Sequence, residues 1–122
     1  MGQAASQAHV FYKDVAKNKK VWTFRDAGGY PAPKTRSGQR SQPFWSTLSR
    51  VQKIIKNVPA YSGFEPVELT WVDFKNKWLP GLEKDGLLVG INWSGISAAG
   101  YDLDAHWVRE RIEIQIKEQE NV

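Results

Sequence analysis

The sequence predicts an α+β fold, with helices packed on a mostly antiparallel sheet. Segments whose apolar residues recur at spacings of three and four alternate with short runs of β-branched and aromatic residues. Two of the strand-like runs follow one another with no helix between them, which favours antiparallel neighbours over a purely parallel sheet. The expected element order is α-β-β-α-β-α-β-(β)-α, and the length of 122 residues fits a single domain spanning 1–122.

Composition narrows the class of protein. Hydrophobic residues make up 41% of the chain and include six Trp, which is enough for a core and argues against disorder. The chain has no cysteine, which excludes a disulfide framework, a zinc–thiolate site and a thiol nucleophile. No apolar stretch approaches the roughly 20 residues of a membrane span, and the N-terminus lacks the design of a secretory signal. We therefore expect a cytoplasmic protein whose mature chain starts near Met1.

The first half of the chain contains two helix-like segments and a long loop. Residues 4–18 form an amphipathic helix that ends in a basic run, where cations suit the helix C-terminus. Residues 21–25 form a strand, and the Gly/Pro-rich, basic loop 27–42 is expected to be a mobile connection within a hairpin-like pair. Ser46 is the expected N-cap of the second helix. The apolar stripe of that helix comprises Leu48, Val51, Ile54, Ile55 and Val58, before Pro59 ends it.

The second half begins with a strand at 65–69, after which Thr70 is expected to cap a third helix. The dipeptide Pro80-Gly81 is expected to stop or bend that helix. Residues 87–93 are apolar on both faces and predict a central strand that is covered on both sides, with 98–101 pairing back on it. Large aromatic side chains dominate core burial, so we expect the core to contain Trp71, Trp78 and Trp107.

Charge is divided unevenly along the chain. Residues 1–60 carry eleven Lys and Arg against two Asp and Glu, a net charge of +9, whereas residues 61–122 have a net charge of −5. The two halves complementing each other across the fold would explain this pattern, and so would a face that attracts an acidic partner. The second explanation favours a non-catalytic protein-interaction module of the immunity or regulatory type. Its predicted partner-binding residues are Tyr30, Lys34, Arg36, Arg40, Arg50, Lys53 and Lys56.

Single-stranded nucleic-acid binding is an alternative for the same loop. Tyr30 accompanies Lys34, Arg36 and Arg40 there, and cations that track phosphates beside aromatic rings that stack on bases are typical of such binding. No recognised nucleic-acid motif accompanies them.

An enzyme is the second alternative. Asp102, Asp104 and His106 bring two carboxylates and an imidazole together, but Asp102 or Asp104 capping the last helix explains the carboxylates. A transition-metal site needs three or more converging ligands. No G-x-S-x-G elbow and no phosphate-binding loop occurs. We therefore expect no catalytic residue, no metal and no cofactor.

The N-terminus carries a short pattern with two interpretations. Met1-Gly2 followed by Ser6 matches the M-G-x-x-x-[ST] signal for N-myristoylation. The alternative is a helix start in which Gly2 occurs by chance, because patterns this short match frequently without meaning.

Several blocks occur in a fixed order along the chain. They are Val21-Trp22-Thr23-Phe24-Arg25-Asp26, Pro43-Phe44-Trp45-Ser46, Pro66-Val67-Glu68-Leu69, Phe74 and the run from Trp78-Leu79-Pro80-Gly81 to Leu87-Leu88-Val89. Together they resemble the bacterial domain-of-unknown-function family 2750 (DUF2750) over roughly residues 9–112. The resemblance implies a small stand-alone bacterial protein, in which the acylation pattern is coincidental, and it transfers no activity and no catalytic residue. The architecture is also similar to that of small immunity proteins of bacterial toxin systems, although fold does not imply function.

Overall fold

Helices cover both faces of a central strand in the computed structural model, which describes residues 3–121, with side chains from residue 5 onward. Met1 and Gly2 of the acylation pattern therefore lie outside the described residues. The order of elements confirms the α+β prediction. The elements are α1 (Gln3–Asn18), β1 (Lys20–Arg25), β2 (Ser41–Phe44), α2 (Leu48–Asn57), a 3-10 turn (Pro59–Tyr61), β3 (Glu65–Thr70), α3 (consecutive segments Trp71–Asp73, Phe74–Trp78 and Leu79–Lys84), β4 (Leu88–Ser94), β5 (Ala99–Leu103) and α4 (Ala105–Glu120).

The strands form two small sheets. In the first, β1 pairs antiparallel with β3, with Lys20 opposite Thr70 and Arg25 opposite Glu65. In the second, β4 lies between β2, to which it is parallel, and β5, to which it is antiparallel. The central position predicted for residues 87–93 is thus confirmed.

The predicted hairpin-like pairing of the first two strands is reduced to a single bridge. Trp22 and Trp45 exchange two backbone hydrogen bonds, both 2.7 Å long. Pro43 has no N–H to donate, and its carbonyl oxygen accepts instead from the Thr23 hydroxyl at 2.9 Å. β2 therefore uses its other edge, where it pairs with β4.

The face of β4 changes partway along the strand. Val89 and Ile91 pack in a larger core against α1, α3 and α4. Trp93 packs instead in a smaller core with Phe24, Trp45 and residues of α2. Residues two apart on a regular strand share a face, so this reversal needs an irregularity, and the register of β4 with β5 shifts between Ile91 and Ser94. The bulge is what allows one strand to supply large side chains to both cores.

The Trp93 indole lies across two glycine positions. A Cβ atom on Gly90 would come within 2.5 Å of the ring, and one on Gly100 within 2.9 Å. The ring is also fixed at its polar end, because the indole N–H donates to the Asp102 carboxylate at 3.2 Å. The two glycines therefore make the space that the ring of Trp93 occupies.

The N-cap of α2 is Thr47, so the prediction of Ser46 is wrong by one residue. The Thr47 hydroxyl accepts from the Arg50 N–H at 3.3 Å. Ser46 is buried, and its hydroxyl donates to the Asp14 carboxylate at 2.7 Å. A buried hydroxyl with a tertiary partner is not available to the helix end, and the next residue takes that role.

Of the caps predicted for α3 and α4, the first is confirmed and the second is not. Thr70 caps α3 as predicted, its hydroxyl accepting from the Asp73 N–H at 3.0 Å. Asp104 occupies the N-cap position of α4 without a side-chain bond to the helix. Asp102 belongs to β5, where its carboxylate accepts hydrogen bonds from Ser41 and Trp93, so the capping role considered for it is wrong.

Helix α3 continues through Pro80 to Lys84. A proline in a helix lacks an N–H and clashes with the carbonyl four residues before it. A π-helical turn over Phe74–Trp78 directly precedes this proline, and the Leu79 N–H donates to the carbonyl of Phe74 five residues back. This wider turn accommodates the proline, so Pro80-Gly81 does not stop the helix as one alternative proposed.

Two apolar side chains that the sequence predicts to be buried are exposed in the structure. Trp107 on α4 is 43% exposed, and the Arg111 guanidinium lies 6.0 Å from the centre of its ring. Leu48, at the first position of α2, is 38% exposed. Trp71 is buried and Trp78 half-buried, which confirms the core prediction for α3 but not for Trp107.

Among residues 3–121, no helix is both long and apolar enough to cross a membrane.

We predict that Gly90→Ala lowers the free energy of unfolding by about 1–3 kcal/mol, because the added methyl group would collide with the Trp93 ring. Gly81→Ala is the matched control: nothing lies within 4 Å of its Cβ position, and alanine favours the helix by about 0.5–1 kcal/mol. Urea unfolding measures both. Equal effects of the two substitutions would contradict the packing assigned to Trp93.

Candidate functional site

The bulge in β4 holds Asn92 in a left-handed backbone conformation, with φ of 46°, and its side chain is buried. Asparagine tolerates this conformation better than most residues other than glycine. Its side-chain carbonyl accepts from the Ser46 N–H at 3.0 Å, and its amide nitrogen donates to the Gln7 carbonyl at 3.2 Å. Asn92 thereby joins the central strand to α1 and to the start of α2.

The same network orients Arg50. The Gln7 side-chain oxygen accepts from the Arg50 guanidinium at 2.7 Å, while the backbone carbonyl of Gln7 accepts from Asn92. A guanidinium has five N–H donors, so this contact fixes its direction and leaves donors for a ligand. The position of Arg50 is therefore tied, through Gln7, to the bulge in β4.

An open cleft of about 1150 Å³ lies beside this network, between α2, the first half of α1 and the turn that joins β4 to β5. The floor is formed by the bulged part of β4, and one wall by the solvent-facing side of α2. The residues that line it are Gln7, Ser49, Arg50, Lys53, Ile54, Asn57, Asn92, Trp93, Ser94, Gly95, Ile96, Ala99 and Gly100. Among the side chains that the structure describes, none that lines the cleft is acidic.

The wall contributed by α2 is positively charged. Helix α2 contains Arg50, Lys53 and Lys56 and no Asp or Glu. The ion pairs between described residues involve Lys20, Lys77 and Arg109, and none includes a cation of α2. Cations that no carboxylate compensates attract anionic groups from solution.

The opposite rim of the cleft is an exposed apolar residue. Ile96 lies at the tip of the β4–β5 turn and is 82% exposed. Gly95 and Ala98 on either side adopt positive φ angles of 78° and 46°, which hold the turn in a tight conformation. The cleft thus offers cations on one side and an apolar contact on the other.

The seven residues predicted to bind a partner separate into two places. Arg50 and Lys53 line the cleft, and Lys56 lies on the same helix outside its lining. The four loop residues, Tyr30, Lys34, Arg36 and Arg40, are exposed and are not part of it.

The loop has internal structure of its own. Lys34 and Arg40 form an antiparallel bridge around a turn that is closed by hydrogen bonds between Thr35 and Gln39. The Arg40 guanidinium donates to the Ala32 carbonyl at 2.9 Å. The Tyr30 ring packs edge-on against Trp78, with 5.0 Å between ring centres. The last two residues of the predicted loop, 41 and 42, belong to β2.

The structure gives separate surroundings to Asp102, Asp104 and His106. Asp102 accepts from the Ser41 hydroxyl at 2.6 Å, whereas Asp104 lies at the start of α4. The His106 ring is exposed and packs near Trp107, with 4.9 Å between ring centres. Within residues 3–121, no group of three or more His, Cys, Asp or Glu side chains is placed to hold a metal ion.

Three residues of the cleft did not emerge from the sequence as functional candidates: Gln7, Asn92 and Ile96. Asn92 is a polar residue within an otherwise apolar strand, and Ile96 is a lone aliphatic residue in a Gly- and Ser-containing turn. Both departures are visible in the sequence. The first indicates an unusual backbone conformation at Asn92, and the second an exposed apolar contact at Ile96. Gln7 carries no such signal, since glutamine is ordinary on a helix surface.

We predict that Asn92→Gly destabilises the protein by about 2 kcal/mol, because it leaves the buried Ser46 N–H without its partner and removes the tertiary hydrogen bond to the Gln7 carbonyl. Asn92→Ala should cost about 1 kcal/mol more, since alanine also resists the left-handed backbone. Chemical denaturation measures both variants. An alanine variant as stable as the glycine variant would show that this backbone conformation is not strained.

We predict a distinctive pH dependence for Asp102. Burial raises the pKa of its carboxyl above 3.8, and hydrogen bonds from Ser41 and Trp93 lower it without cancelling the effect. The folded state therefore binds the proton more tightly than the unfolded state does, and this contribution to stability is lost as pH rises through the folded pKa. Asp102→Asn should gain stability relative to wild type between about pH 3 and pH 7. Urea denaturation at several pH values measures the difference, and a constant or falling difference would contradict the assignment.

Comparison of the chain with curated proteins and with solved structures gives no match. A family model described as "Protein of unknown function (DUF2750)" matches residues 8–112, which is most of the chain and includes α2, β4 and the turn that form the cleft. The match confirms the resemblance carried by the ordered sequence blocks, and the chain belongs to the DUF2750 family.

Proposed function

We propose that the chain is a single non-catalytic interaction domain that binds an acidic, extended segment of another protein in the cleft between α2 and the β4–β5 turn. The observation that carries the proposal is the orientation of Arg50, which Gln7 holds at 2.7 Å beside a cleft without acidic residues. A preoriented guanidinium binds a carboxylate through two parallel hydrogen bonds and loses little side-chain freedom in doing so.

The shape of the cleft supports a peptide rather than a small molecule. Its volume of about 1150 Å³ exceeds the usual range for small-molecule pockets, and it is open to solvent. Lys53 lies one helical turn from Arg50 on α2, so successive carboxylates of an extended chain have two cations to meet. Ile96 provides an apolar contact for one side chain of the same segment.

Electrostatics would act first on the rate of encounter. The cations of α2 have no ion-pair partner among the described residues, so their field extends toward an approaching acidic segment. The loop cations Lys34, Arg36 and Arg40 add to that field without lining the cleft.

Single-stranded nucleic acid is less well supported by the geometry. Sequence-tolerant binding of this kind uses aromatic rings on which bases stack. The Tyr30 ring packs against Trp78, and the aromatic residue of the cleft, Trp93, is buried. Trp93 is therefore closed to stacking, and the Tyr30 ring is already engaged by one aromatic neighbour outside the cleft.

The proposal predicts that Arg50→Glu/Lys53→Glu weakens binding of an acidic, apolar-containing peptide by at least tenfold, because two attractive contacts become repulsive. Fluorescence anisotropy with a library of such peptides measures the affinity. Lys34→Glu/Arg36→Glu is the matched control, since it changes the net charge equally but lies outside the cleft.

The control should retain most of the affinity and lose mainly association rate. Equal losses in the two double variants would mean that net charge, and not the cleft, controls binding. A single-stranded RNA oligonucleotide that binds more tightly than any acidic peptide, with steep salt dependence, would favour nucleic acid instead.

A further inference from the structure

A second, smaller cleft lies on another part of the molecule, between α1, α4 and the strand β5. Its volume is about 260 Å³, and it shares no lining residue with the cleft beside α2. The small side chains Ala5 and Ala8 leave room between the helices, and Ile114 forms an apolar wall. Polar groups reach it from three elements: His9 and Tyr12 of α1, Tyr101 of β5, and Arg111 with Gln115 of α4.

Tyr12 is the unusual member of this set. Its side chain is 94% buried by surface area (6% exposed), and its hydroxyl has no hydrogen-bond partner among the described residues. Buried polar groups are nearly always paired, because an unpaired one has lost its hydrogen bonds to water without replacement. An orphaned hydroxyl at the wall of a cleft is therefore a position at which a ligand atom would complete the structure.

The proton of this hydroxyl is firmly held. Burial raises the pKa of Tyr12 to about 12, with a smaller opposing effect of the Arg111 charge and a small upward effect of Tyr101. At neutral pH Tyr12 is therefore a neutral donor. Arg111 and Tyr101 line the same cleft as Tyr12.

Arg111 supplies the positive charge. The ion pairs between described residues do not include it, and its guanidinium lies 6.0 Å from the Trp107 ring centre, a contact that orients the side chain without neutralising it. No Asp or Glu lines this cleft. Its polar lining thus combines the Arg111 guanidinium with the imidazole of His9, two tyrosine hydroxyls and the amide of Gln115.

We propose that this cleft binds a small monocarboxylate, with the carboxylate between the Arg111 guanidinium and the Tyr12 hydroxyl and a short apolar tail against Ala8 and Ile114. The Arg111 cation attracts an anionic group, and the fork of its guanidinium fits the two oxygens of a carboxylate. The apolar wall favours a carboxylate with a tail over inorganic phosphate, which has none and carries more charge.

Titration of the protein with propionate, followed by two-dimensional NMR, tests the proposal. Saturable shifts are expected at the side-chain N–H of Arg111 and at the backbone amides of Ala8 and Tyr12. Propionamide is the matched ligand control, because it has nearly the same shape without the charge, and it should bind at least tenfold more weakly. Inorganic phosphate that binds more tightly than propionate would overturn the assignment, as would the absence of saturable shifts with propionate.

Two variants separate the ligand site from a structural role. Tyr12→Phe removes an unpaired buried hydroxyl, so the unliganded variant should melt at a higher temperature than wild type while binding propionate at least tenfold more weakly. Arg111→Gln should lose binding by a similar factor, whereas Arg109→Gln, on the same helix but outside the cleft, should not. A Tyr12→Phe variant that melts lower, or that binds propionate as wild type does, would refute the proposal.

Discussion

The left-handed backbone of Asn92 is the constraint on which both cores and the larger cleft depend. It bulges β4 so that Ile91 and Trp93, two residues apart, face opposite sides of the strand. Its side-chain amide then bonds to Ser46 and to Gln7, joining three segments that are distant in sequence. Asparagine suits both roles, because it tolerates positive φ and carries a donor and an acceptor on one short side chain. Strained, fully bonded residues of this kind recur beside binding sites.

The cations of the basic half of the chain lie in two separate places. The Lys34–Arg40 turn is held by its own hydrogen bonds, and its aromatic neighbour Tyr30 packs on Trp78. Arg50 and Lys53 of α2 line a cleft instead, where Gln7 fixes Arg50. In the function that we propose, the net charge of the segment sets the sign of the partner, and the hydrogen bonds of individual cations set where it binds.

How much of the structure the sequence predicts depends on how far apart along the chain the interacting residues lie. The predicted helices and strands agree with the structure because hydrophobic periodicity is a local property. The cap predicted at Thr70 is confirmed because its partner, the Asp73 N–H, is three residues away. The N-cap prediction for Ser46 is wrong because its hydroxyl donates to the carboxylate of Asp14, which is distant in the sequence. For the proposed cleft, the positive charge of α2 is visible in the sequence, whereas the roles of Gln7 and Asn92 are not, because they arise from contacts over 43 and 46 residues of separation. The exposure of Trp107 likewise depends on which face of α4 the core covers.

The sequence by itself determined the fold class, the order of the elements, the asymmetry of charge and membership of the DUF2750 family, since these depend on composition, periodicity and ordered motifs. Only the tertiary structure decided which edge of β2 is paired, which face Trp93 takes, and which cations and hydroxyls are left without partners. The physical reason is that a hydrogen bond or an ion pair is satisfied or left open by neighbours that the chain brings together only on folding.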